Sequence, residues 1–97
     1  MQKYQASINN GAYEYIFDSF SDTVFGVTIK RVRSNDSLSI DVTGMKIEGL
    51  PEKLKIFFEN YLIHNDLESL RLYVKSARDV CIDDISFNFS LSEIKIY

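Results

Sequence analysis

The sequence predicts an α+β domain: a mostly antiparallel β-sheet of six to seven strands with one amphipathic helix packed on it, in the order ββββ-α-ββ(β). Three observations carry this expectation. From Ile85 to Leu91 every odd position is large and apolar and every even one is Ser or Asn, the pattern of a strand with one greasy and one wet face. Leu38, Ile40 and Val42 alternate in the same way with Ser39, Asp41 and Thr43. Between these blocks, Leu50, Leu54, Phe57, Phe58, Tyr61 and Leu62 recur at the spacing of a helical stripe.

The elements follow in order. Asn9-Asn10-Gly11 is a hairpin signal, because Asn and Gly tolerate the positive φ of tight turns, and it joins a strand near residues 3–8 to one at 12–18. In the second strand Tyr13, Tyr15 and Phe17 alternate with Glu14, Ile16 and Asp18. A polar break around Phe20 precedes a third strand, Val24 to Arg33, with Phe25, Val27 and Ile29 on one face. Ser34-Asn35-Asp36 is the next turn, and the Leu38–Val42 strand follows. At Gly44 the apolar parity flips to Met45 and Ile47, which marks a bulge or a bend. Pro51 suits the first turn of the helix, Glu52 suits its positive end, and Asn65-Asp66 ends it.

Two further segments read as strands. Leu70-Arg71-Leu72-Tyr73-Val74-Lys75 is one, and Val80 to Leu91 the other, joined by Ser76-Ala77-Arg78-Asp79. In this reading Tyr73 shares a face with Arg71 and Lys75. A second parity flip after Leu91, to Ile94 and Ile96, allows a seventh strand. Ile56 and Ile63 lie off the helical stripe, together on its opposite side. They are either scattered surface residues or a second contact, including self-association.

Composition bounds the function. With 97 residues, 45% of them hydrophobic and 13% aromatic, the chain is expected to form a single globular domain over residues 1–97 with a substantial core. Eleven basic against fourteen acidic residues give a formal net charge of −3, which argues against nucleic-acid binding through a general basic surface. The one basic cluster, Lys30-Arg31-x-Arg33, falls at a strand end where its charges meet water. No apolar run is long enough to span a bilayer, so no membrane association is expected. The start, Met1-Gln2-Lys3-Tyr4-Gln5, has no apolar stretch after its charge, and the single Cys81 excludes an intramolecular disulfide. A cytoplasmic location is therefore expected. Flanked by Val80 and Ile82, Cys81 is expected to be a buried small hydrophobe.

Catalytic constellations are not found. His64 is the sole histidine, placed in the last helical turn where a cation meets the dipole, and nothing in the sequence brings it to Cys81. There is no CxxC, HExxH, DxDxDG, Walker or GxGxxG motif, so no metal and no cofactor is expected. Asp83 and Asp84 would face opposite sides of a regular strand. Asp79 and Asp83 would share a face about 13 Å apart. A glycosidase acid/base pair needs roughly 5–9.5 Å. The expectation is a protein without enzymatic activity that meets a protein partner. Charge and facing propose Asp79, Asp83, Asp84, Glu14, Asp18 and Asp22 for a surface that complements a basic partner, with Tyr13 and Tyr15 as aromatic anchors.

Two stretches add a family resemblance. Phe20-Ser21-Asp22-Thr23-Val24 followed by Val27-Thr28-Ile29-Lys30-Arg31 is one; Leu70 to Val74 through Arg78-Asp79-Val80 to Ile82 and Phe87-Asn88 is the other. Together they resemble the small bacterial immunity proteins that accompany polymorphic toxins, in particular the type called immunity protein 50. The chain departs from that pattern at Ser76-Ala77-Arg78, which lacks the turn glycine, and at Phe89-Ser90-Leu91, which replaces a more polar run. The resemblance implies a protein that binds a cognate toxin domain and blocks it without catalysis of its own. It transfers no site residue by motif. The other reading is a small structural or adaptor subunit acting through homo- or hetero-oligomerisation.

Overall fold

The computed structural model describes residues 3–92. It is an α+β fold with a six-stranded antiparallel sheet: β1 (Lys3–Ile8), β2 (Tyr13–Ser19), β3 (Val24–Arg31), β4 (Ser37–Thr43), β5 (Asp79–Ile82) and β6 (Ile85–Leu91). Between β4 and β5 run two helices, α1 (Leu50–His64) and α2 (Leu67–Lys75). The spatial order is β1-β2-β3-β4-β6-β5. The four N-terminal strands form a meander, and the C-terminal hairpin adds to the β4 edge through β6. Positive φ at Asn9, Asn10 and Gly11 confirms the first hairpin.

Alternation does what the sequence requires. Tyr15 and Phe17, then Phe25, Val27 and Ile29, then Leu38, Ile40 and Val42, then Phe87 and Phe89 all bury against the helices. From α1, Leu50, Leu54, Phe58 and Leu62 meet them, with Phe57 and Tyr61 half-buried at the margin. The Phe58 ring stacks on Phe89 at 5.6 Å and Phe57 meets both edge-on. Both helices contribute to this one core, so they share one face of the sheet, and among the described residues no element covers the other.

Residues 70–75, expected as a strand, are helical, and the described residues hold two helices rather than the one expected. Leu67, Leu70 and Val74 are the buried residues of α2, a helical spacing that outweighs the short alternation of Leu70, Leu72 and Val74 and leaves Leu72 exposed. Asp66 does not terminate α1 so much as start α2: its Oδ1 accepts from the Ser69 amide at 2.8 Å. Tyr73 therefore sits on a helix, its ring 5.6 Å from Tyr61, and shares no strand face with Arg71 and Lys75. Ala77, at φ 57, closes α2 as a left-handed C-terminal residue, a position glycine more often holds.

The expected continuous strand over residues 80–91 is a hairpin. Asp83 and Asp84 both take positive φ and form its two-residue turn, a role Asp supports better than most residues. Gly44 is a bend at the end of β4: its amide donates to the Thr23 carbonyl at 3.0 Å, and the Phe87 ring fills the space a Cβ would need. Cys81, expected buried, is exposed, because Val80 and Ile82 take the inner face of β5 and turn their neighbour outward. The parity flip to Ile94 and Ile96 lies outside the described residues.

Candidate protein-binding face

The open face of the sheet is built from the residues that alternation turns away from the helices. Its rows can be followed through the strand register. One row runs Lys3, Asp18, Gly26, Asp41, Ser90. A second runs Gln5, Ile16, Thr28, Ser39, and a third Ser7, Glu14, Lys30, Ser37. Toward the end of the sheet that carries the β2–β3 loop lie Val24, Thr43, Asn88 and Asp79. The side chains are short and mostly neutral, and the charges are acidic except for Lys3 and Lys30.

The ion pairs among the described residues lie elsewhere: Arg31 and Arg71 on Asp36, Arg71 on Glu68, and Lys53 on Asp83. None involves Glu14, Asp18, Asp41 or Asp79, so this face has carboxylates to offer a partner.

Two carboxylates named from the sequence fall on β2 of this face, Glu14 and Asp18, and Asp79 stands at its far edge on β5. Asp22 lies in the loop between β2 and β3 and is exposed. Asp83 and Asp84 do not join them. They occupy the turn between β5 and β6, and Asp83 is tied to Lys53 of α1. Asp79 and Asp83 therefore share no strand face.

The aromatic anchors divide differently. Tyr13 is half-buried at the edge of the core. Tyr15 is fully buried, and its hydroxyl donates to the Pro51 carbonyl at 2.8 Å. Burial raises the Tyr15 phenol above its ordinary pKa, so it stays neutral. Tyr15 is thus a core residue joining β2 to the start of α1, and it leaves the proposed contact surface. Its alternation with Phe17 was the available signal.

The structure adds two residues to this face that the charge argument passed over. Asp41 pairs across Gly26 from Asp18, placing one carboxylate on either neighbouring strand. Phe20 leaves the end of β2 and lays the Cε2–Cζ edge of its ring on Gly26, where an added Cβ would come within 2.7 Å of it. The ring remains 57% exposed.

Other chemistry is sparse among the described residues. No group of three or more His, Cys, Asp or Glu comes together to hold a metal ion. His64 ends α1, whereas Cys81 sits on the edge strand β5. A recess between Phe17, Phe25, Ile47 and Leu50 has a volume of about 170 Å³, too small for most organic ligands, which occupy roughly 300–1,000 Å³. An open groove of about 340 Å³ runs by Tyr13, Arg31 and Arg33. No helix of the described residues is long and apolar enough to cross a membrane. No family model matches the chain, and comparisons with curated proteins and with solved structures find no match.

Proposed function

We propose that the protein is a non-catalytic immunity or inhibitor protein of the bacterial cytoplasm that binds a cognate toxin domain and neutralises it. The observation that carries this reading is the open sheet face, a broad surface of short polar side chains whose carboxylates have no ion-pair partner among the described residues. A broad face of this kind suits a protein better than a small molecule. Its acidic balance favours a basic partner, for which complementarity speeds encounter and sets orientation. The resemblance of Phe20–Val24 with Val27–Arg31, and of Arg78-Asp79-Val80 to Ile82 with Phe87-Asn88, to immunity protein 50 supports a toxin as that partner; Leu70–Val74, read as a strand in that resemblance, is helical and adds nothing to it.

The test is co-expression with a toxin domain encoded next to the gene. Growth rescue and co-purification are expected; a toxin that kills unhindered and elutes alone refutes the reading.

A second reading has its own observation. Ile56 and Ile63 are 53% and 60% exposed, one above the other on the solvent side of α1. A structural or adaptor subunit could pack that stripe on a second copy or on a scaffold. Light scattering of wild type against Ile56→Asp decides it: a dimer lost on substitution favours the subunit, and a monomer in both cases rejects self-association.

A further inference from the structure

We infer that the Phe20–Gly26 seat on the open sheet face, flanked by Asp18 and Asp41, receives an arginine side chain from a basic protein surface. The inference rests on the protein-binding reading above and names the part of the face where the contact is centred.

Glycine weakens the interior of a strand, and in a half-buried strand it often marks a place where another group approaches closely. At Gly26 that group is the Phe20 ring, which arrives from outside the sheet and not from the core. The backbone that carries the ring is fixed within its own loop. The amides of Phe20 and Ser21 both donate to the Val24 carbonyl, at 3.0 and 3.1 Å, and the Ser21 hydroxyl accepts from the amides of Val24 and Thr23 at 3.0 and 3.3 Å. A loop ordered in this way has little backbone freedom left to lose when a partner covers its aromatic side chain.

The charges nearest the ring are acidic. Asp18 and Asp41 pair with Gly26 from its two sides, so their backbones stand about 10 Å apart with the ring between them. Asp22 follows two residues after Phe20 in the same loop. None of the three is ion-paired among the described residues. Lys3 lies opposite Asp18 on β1, and Lys30 lies four residues from Gly26 along β3, about 13 Å away. Charge complementarity therefore selects a cation. The aromatic ring selects among cations, because a guanidinium can stack on it and still donate in its own plane to a carboxylate, whereas a lysine ammonium is a point charge that does one or the other.

The experiment uses the whole chain, isotope-labelled, and the blocked peptide acetyl-Gly-Arg-Gly-Arg-Gly-amide, with lysine and citrulline counterparts. The expected result is a set of amide shift changes centred on Phe20, Gly26 and Asp41. The lysine peptide should bind roughly two- to five-fold more weakly than the arginine peptide, and citrulline should not bind measurably. Phe20→Leu should erase the preference for arginine over lysine, and Asp18→Asn with Asp41→Asn should weaken both. Dispersed spectra of the variants verify that the fold is intact.

Shift changes spread over Glu52, Glu68 and Asp84, or an arginine preference that survives Phe20→Leu, overturn the inference. Concentration-dependent shifts of the same amides without peptide would assign the face to a second copy and overturn it as well. A toxin that binds wild type and both variants alike, with no peptide seated at Gly26, removes the seat and leaves the proposed function standing. A seated peptide with no toxin complex does the reverse.

Discussion

Replacing Tyr15 by Phe should destabilise the protein at neutral pH and make it relatively more stable in alkali. The side chain is fully buried, and its hydroxyl donates to the Pro51 carbonyl at 2.8 Å, linking positions 36 residues apart. Removing the hydroxyl deletes that bond. Pro51 lies in the first turn of α1, where its carbonyl also faces the amide four residues on, so the acceptor keeps its ordinary helix bond. The loss is then that of one neutral buried hydrogen bond, about 1 kcal/mol. For a domain of this size that lowers Tm by roughly 4–8 °C.

The alkaline arm comes from burial, which raises the folded Tyr15 pKa above the ordinary phenol value of 10.0. A group with a raised folded pKa gives stability that is complete below the unfolded pKa and is lost as pH climbs toward the folded one. Wild type should therefore lose stability above pH 10.0 through this residue. Each pH unit removes at most about 1.4 kcal/mol, and the Phe variant has no such slope. The deficit of about 1 kcal/mol at pH 7 should close near pH 11. Urea unfolding of both proteins across this range measures it, since all other titrations are shared and cancel. A gap that stays constant or widens would show that folding does not raise the Tyr15 pKa.

Two further outcomes test the core and the second helix. Phe89→Ala removes a fully buried ring that stacks on Phe58 and meets Phe57 edge-on, and should destabilise by about 3–5 kcal/mol in denaturant unfolding. Asp66→Ala should loosen α2 at neutral pH, seen as faster amide exchange at Ser69 and Leu70. The hydrogen bonds from Ser69 hold the Asp66 carboxyl below its ordinary pKa of 3.8, so the benefit of the cap is present above that value and fades as pH falls through the folded pKa. The exchange difference between wild type and Asp66→Ala should shrink on acidification; a difference that persists undiminished in acid would mean that the carboxylate is not the cap.

Much of the fold was legible because the strands are half-buried and their alternation is clean. The four N-terminal strands, the first hairpin turn and α1 with its Pro51 start follow from parity and turn chemistry, whereas the order of the strands in the sheet does not. α2 was not legible as a helix because Leu70, Leu72 and Val74 alternate over the few residues where a strand and a helix look alike. What separated them was the spacing Leu67, Leu70, Val74 with Asp66 as its cap. The hairpin at Asp83-Asp84 was hidden because neither residue is Asn or Gly, and both adopt positive φ all the same.

Of the contact surface, the outward acids of β2 could be read from alternation. The same parity, taken further, places Tyr15 beside Phe17 in the core, where its hydroxyl finds a partner and its ring is lost to any binding surface. The Phe20–Gly26 contact depends on the path of a loop, and no periodicity encodes that.

The central claim is that the open sheet face meets a basic protein. Its most direct measurement is the association rate of the neighbouring toxin domain with a variant in which Glu14, Asp18, Asp41 and Asp79 are replaced by their amides, against a control with the same change at Glu52, Glu59 and Glu68 of the helices. The sheet variant should associate about ten-fold more slowly at low salt and lose most of its salt dependence, while the control stays near wild type. Equal rates for the sheet variant and wild type, or a larger loss in the helix control, would contradict it.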